Sequence, residues 1–282
     1  MNNRAEPPKI FDRALVARRR ARAAKAFSDF DFLHRRVMAD VVDRLETVRR
    51  GFPLAHFCGA GTLVSLLTEE SGVGDIVHSD LAPQRLPDMM RTAVADEERN
   101  PFAPESFDLV VSLLTLHSAN DLVGALAQHR ISLKPDGLFI AALFGEETLG
   151  ALRQALYAAE TGLRGGVSPR VAPFASVRDL GGAMQRAGFA MPVADIDSVR
   201  ISYKEPARLL ADLRGMGETS ALSARGRGLT VSLVREALAR LNKEVRFDIV
   251  YLTGWAPAPS QPKPLKPGSG RQSLEAAVKS KA

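Results

Sequence analysis

The sequence predicts a doubly wound α/β domain on a Rossmann-like, mainly parallel sheet. Three observations carry this. Short apolar stretches alternate with helical periodicity from residue 54 to residue 144, and residues 107–114, apolar but for Asp108 and Ser112, and 138–144 are runs of the kind buried on both faces of a parallel sheet. A glycine-rich loop, Cys58 to Gly61, follows the first stretch.

Residues 1–50 read as an N-terminal helical segment, because Leu33, Val37, Val41, Leu45 and Val48 recur every three or four positions along one helix face. Gly51 and Pro53 stop it. A strand at 54–57 leads to a helix from about Thr62, a strand at 76–79, a helix after Pro83 and an extended stretch at 92–95. After the strong strand at 107–114, Asp121 caps a helix reaching Leu133, the Lys-Pro-Asp-Gly of 134–137 makes a turn, and 138–144 is the next strand. Helices are expected near 146–160, 176–187, 205–213 and 229–241, with strands at 193–203 and 246–255 closing the sheet. This places a single domain over 51–255, carrying a helical insertion at about 204–244. After Trp255 the composition turns to Pro, Lys, Ser and Gly, which bury too little apolar surface to offset ordering entropy, so 256–282 is expected to be a disordered tail.

The net charge of +6 gathers at the two ends. Arg13, Arg18, Arg19, Arg20, Arg22 and Lys25 crowd one, and Lys263, Lys266, Arg271, Lys279 and Lys281 the other. No aromatic interleaving or groove-reading motif accompanies them, so they read as solvated ends and not as a nucleic-acid surface. An acidic partner, such as an acyl-carrier protein or an anionic membrane surface, stays open. The basic helix itself reads as a packed surface helix, with a lid over the cleft as the other reading. Cys58 is the only cysteine, which excludes an internal disulfide and a thiolate-rich zinc site; no metal site is expected, since His56 and His78 fall within strands without a third ligand. No apolar run is long enough to span a bilayer, and charges stand where a secretory signal would carry its apolar core. A cytoplasmic location follows, with peripheral attachment at the inner membrane as its variant.

In an open parallel sheet, ligands bind beyond the carboxyl ends of the strands, where strand order reverses. Gly59 and Gly61 sit in such a loop, either as a close approach for a ligand or as a plain tight turn. Asp80, followed by Leu81, ends the next strand about twenty residues later; it either accepts both hydroxyls of a ribose or caps a helix before Pro83. Asp96, with Glu97 beside it, either accepts from an adenine amino group or belongs to a solvated acidic cluster. His117, just past the fourth strand, is a substrate-side proton acceptor or a packed histidine. Two acids at successive strand ends after a glycine loop are more specific than any one of them.

The string from Asp96 to Leu122, with residues 133–140, resembles class I S-adenosylmethionine-dependent methyltransferases. It is most similar to the branch that holds the malonyl-acyl-carrier-protein methyltransferases of biotin synthesis and the mitochondrial complex I assembly factor that hydroxylates an arginine. Residues 11–24, 144–153, 165–174, 212–218 and 252–257 resemble the assembly-factor side specifically. The resemblance, running from about Phe11 to Pro257, implies a seven-stranded methyltransferase sheet and S-adenosylmethionine as cofactor. It places Cys58, Gly59, Gly61, Asp80, Leu81, Asp96 and Glu97 around that cofactor and His117 at the acceptor.

One departure bears on the cofactor. The family's first strand ends acid, apolar residue, Gly, Cys, Gly, any residue, Gly, whereas these positions here read Ala55, His56, Phe57, Cys58, Gly59, Ala60, Gly61. The acid and the first glycine are missing, and Phe57 is expected to put a ring where close approach is needed. A second departure is Ser118, where relatives carry an aromatic residue. The resemblance thus implies a methyltransferase-family protein that modifies a protein acceptor, a respiratory complex I subunit. Its competitors are a non-catalytic assembly factor or chaperone with a degenerate loop, and a malonyl-acyl-carrier-protein O-methyltransferase.

Overall fold

Asp12 opens helix α1 (Arg13–Ala24) by accepting from the Leu15 amide at 2.9 Å. The structure, a computed structural model, describes residues 8–88, 91–224 and 226–262. Only Arg20 and Ala23 of α1 are buried, so this helix docks through an arginine and not through an apolar stripe. Helix α2 (Phe32–Val48) behaves in the ordinary way: Leu33, Val37, Val41 and Leu45 form its buried face, and Arg49 ends it in the left-handed conformation.

The seven strands are β1 (Phe52–Cys58), β2 (Val73–Asp80), β3 (Thr92–Val94), β4 (Phe107–Leu113), β5 (Leu133–Phe144), β6 (Ala190–Ser202) and β7 (Glu244–Trp255). They line up as β3-β2-β1-β4-β5-β7-β6. The first five run parallel, and β7 is antiparallel to both β5 and β6. Strand order reverses between β1 and β4, which puts the crevice beside Cys58 and Leu113.

Helices α3 (Leu122–Ser132) and α5 (Val177–Arg186) cover one face of the sheet. The other is covered by α2, α4 (Gly150–Arg164), α6 (Pro206–Met216) and α7 (Val231–Arg240). The last two lie between β6 and β7, in the stretch expected to be an insertion.

Two expected helices are different. The stretch after the first loop is a 3-10 helix, Gly61–Leu66, and the one at Pro83 is a single 3-10 turn, Pro83–Arg85. Only residues 67–72 separate the first from β2, and α2 already covers the sheet face that a full crossover helix would need. The Lys-Pro-Asp-Gly stretch is not a separate turn but the irregular start of β5, where the register against β4 shifts and Asp136 takes a positive φ. After Trp255 the chain stays attached: Ala256 is buried, its amide bonds the Gly137 carbonyl at 2.8 Å, and Gln261 bonds Asp136. The expected tail from 263 onward lies outside the described residues.

Candidate functional site

The ends of β1, β2 and β4 meet at the strand-order reversal, and the residues there form a cradle. Gly59 has φ +76°, its amide bonds the Ser79 carbonyl at 2.9 Å, and a Cβ on it would collide with the Thr115 methyl and stand 2.7 Å from the Leu113 carbonyl oxygen. Only glycine leaves that space. Gly61 also has a positive φ, and a Cβ there would stand 2.9 Å from the Arg85 carbonyl. Cys58 lines the same hollow with its thiol 3.9 Å from Thr115 Oγ1, and burial pushes that thiol well above its usual range, which disfavours the thiolate form.

Phe57 is not in this hollow. Along β1, Ala55 and Phe57 face the α2 side, where Phe57 is fully buried in the core with Leu63 and Val111. The expected obstruction by its ring is therefore corrected: strand alternation turns residue 57 away from the cleft.

Arg20 enters the hollow instead. Its Nε meets Asp80 Oδ1 at 3.1 Å and its Nη2 meets Oδ2 at 2.7 Å, with Nη1 3.7 Å from Glu218. Burial works against the charge, but Asp80 and Glu218 outweigh it and hold the guanidinium above its ordinary range. Asp80 Oδ1 also accepts from the Ala82 amide at 2.8 Å, so part of its role is to order the turn before Pro83.

Arg13 repeats the pattern one strand further out. Its Nη2 meets Asp96 Oδ1 at 2.6 Å and its Nε meets Oδ2 at 3.3 Å, while its Nη1 donates to Ser118 Oγ at 2.8 Å. Arg13 and Arg20 were expected at a solvated end; the structure places both in ion pairs over the crevice. Seven residues apart, they share one face of α1.

Glu97 turns away from Asp96. Its Oε1 accepts from Ser112 Oγ at 2.7 Å and from His129 Nε2 at 3.3 Å; burial pushes its carboxyl up, and these partners more than reverse that, to about 2. Leu81 and Glu97 both line the large cavity described next.

That cavity, of about 610 Å³, runs from the cradle into the space beneath the helical insertion. Leu15, Val16, Leu152, Leu156, Leu213 and Phe174 give it largely apolar walls. His117 stands at one wall between the rings of Phe144 and Phe174, and its Nε2 lies 3.0 Å from Glu218 Oε2. A carboxylate on Nε2 selects the tautomer whose free lone pair is on Nδ1, and Nδ1 has no hydrogen-bond partner among the described residues. Burial pushes Glu218 up, but His117 and Arg20 bring it to about 2.

Glu218 is the residue of this candidate site that the sequence reading did not single out. The available signal was its place at the end of residues 212–218, a segment that carries the resemblance.

Residues 57–141 match the family model described as a methyltransferase domain. The chain is 38% identical over 285 residues to the human protein named arginine-hydroxylase NDUFAF5, mitochondrial, an alignment that covers 94% of this chain and 82% of that one. The zebrafish protein of the same name is also 38% identical, over 94% of this chain and 88% of its own. A malonyl-[acyl-carrier protein] O-methyltransferase of Laribacter hongkongensis is 31% identical over 88% of this chain and 90% of its own. Among solved structures, the YcgJ protein of Bacillus subtilis superposes with TM-score 0.52 at 12% identity, over 78% of this chain and 99% of that one, a likeness of fold. The expected cytoplasmic location does not stand, because the relatives in mouse, human and zebrafish are named as mitochondrial proteins.

Proposed function

The chain belongs to the methyltransferase-domain family that contains the NDUFAF5 arginine hydroxylases, and from that premise we propose that it binds S-adenosylmethionine at the rim of β1, β2 and β3 and modifies a protein acceptor held in the adjoining cavity. The observation that supports this best is the Gly59 cradle beside two carboxylates, Asp80 and Asp96, that follow successive strands. The donor chemistry fits the nucleoside: a ribose diol and an adenine amino group each offer N–H or O–H donors, as do the guanidinium groups that these acids hold. Asp80 would hold the ribose, Asp96 the adenine, and Gly59 and Gly61 the methionine end, with Cys58, Leu81 and Glu97 as walls.

When bound, the cofactor supplies a methyl group already activated by its sulfonium. The protein's own work is then alignment and exclusion of water, which the apolar cavity walls favour. His117, whose Nδ1 is buried, would line the acceptor side of the cavity, and Glu218 would hold its ring in the tautomer with the lone pair on Nδ1. The acceptor side chain proposed is an arginine of a respiratory complex I subunit; a carboxylate that already faces a guanidinium across 3.7 Å suits such a group.

A second reading, a non-catalytic assembly factor, is favoured by the same Arg20–Asp80 pair, because both Asp80 oxygens have protein partners without any ligand. A malonyl-thioester methyltransferase is the third, and a deletion strain that needs biotin would support it. Calorimetric titration with S-adenosylhomocysteine separates the first two. Binding by the wild type that is lost in Asp80→Ala supports the enzyme. No heat and no melting shift at millimolar ligand, in the wild type and in a variant lacking both arginines, leaves the assembly factor.

A further inference from the structure

We propose that α1 is a built-in plug that imitates a nucleoside, with Arg20 and Arg13 occupying Asp80 and Asp96, so that docking of α1 and binding of the nucleoside ligand exclude each other. This rests on the cofactor reading above and adds a conformational step to it.

The geometry makes the imitation specific. Each guanidinium presents two donors to both oxygens of one carboxylate, Arg20 on Asp80 and Arg13 on Asp96. A ribose diol would donate to Asp80, and an adenine amino group to Asp96, at the same acceptor atoms. Arg20 also fills the cradle itself: its Nη2 lies 3.3 Å from where a Gly59 Cβ would stand. A ligand therefore cannot reach the cradle while Arg20 stays.

The plug is also built to leave. Of the twelve residues of α1, only Arg20 and Ala23 are fully buried, while Leu15 and Val16 are half-buried and face the cavity, so no closed apolar face holds the helix down. Arg85 opposes it from below: buried, with both terminal nitrogens lacking hydrogen-bond partners among the described residues, it is pushed down to about 9 by burial and by Arg20. Like charge beneath Arg20 offsets part of what Asp80 contributes.

The test uses the full chain and S-adenosylhomocysteine. Removing the plug with Arg13→Ala and Arg20→Ala should tighten binding about tenfold if the wild-type site is open in about a tenth of the molecules. Hydrogen exchange on the unaltered protein gives a second readout that needs no variant: saturating ligand should speed exchange of the amides of residues 13–24. Unchanged or weaker binding in the double variant, or slower exchange in α1 on adding ligand, would overturn the plug and make α1 a lid that closes over its ligand. Absence of binding in both proteins would overturn the cofactor reading, and the plug with it.

Discussion

The Arg20 guanidinium meets the Asp80 carboxylate edge to edge, Nε to Oδ1 at 3.1 Å and Nη2 to Oδ2 at 2.7 Å, and both side chains are almost wholly shielded from water. A helix without a fully buried apolar face is thereby pinned to the end of β2.

Breaking this pair should cost less than burial alone suggests. Losing one partner of a trapped ion pair costs about 3–5 kcal/mol, because the other charge stays buried. Here Asp80 can regain water by release of α1, so Arg20→Ala is expected to lower stability by about 1–2 kcal/mol in urea unfolding. A loss at the full trapped value would show that α1 cannot lift.

Phe57 marks a position where the family pattern has glycine, and restoring a small residue there looks like a repair of the cofactor loop. The core packing of its ring predicts the reverse. Phe57→Ala should destabilise by about 3–5 kcal/mol without tightening nucleoside binding. Denaturant midpoints and calorimetry measure the two halves separately, and a cost below about 1 kcal/mol would mean that the ring is not part of the core.

His34 predicts a loss of stability in mild acid. It is fully buried with neither ring nitrogen hydrogen-bonded among the described residues, and burial, helped by Arg85, lowers its pKa from 6.5 to about 3. The unfolded chain takes up a proton below pH 6.5, while the folded chain resists until about 3. The contribution is therefore complete above pH 6.5 and declines as pH falls towards 3, by about 2 kcal/mol at pH 5. His34→Phe should flatten the fall in Tm between pH 7 and pH 5 and leave stability at pH 7 unchanged or higher. His56, also lowered to about 3 by burial and by His129, keeps a share of the slope. Identical slopes in variant and wild type would mean that His34 is not the group responsible.

The sequence made the sheet legible because β4 and the 138–144 part of β5 are buried on both faces and read as apolar runs, β4 interrupted only by Asp108 and Ser112. Asp80 was legible from its distance after the glycines. Which way Phe57 points was not, since β1 ends in a run buried on both sides and shows no polar face to set the alternation. The roles of Arg13 and Arg20 were hidden for another reason. Their partners lie 83 and 60 residues away, and a run of arginines has the same composition whether it is solvated or paired.

Strand β7 is the last strand among the described residues, yet it lies between β5 and β6. A nascent polypeptide must therefore display an unpaired β5 edge, and hold β6 without a neighbour, until residue 255 is available to join them. A premature stop before β7 would strip two strands from the sheet instead of one.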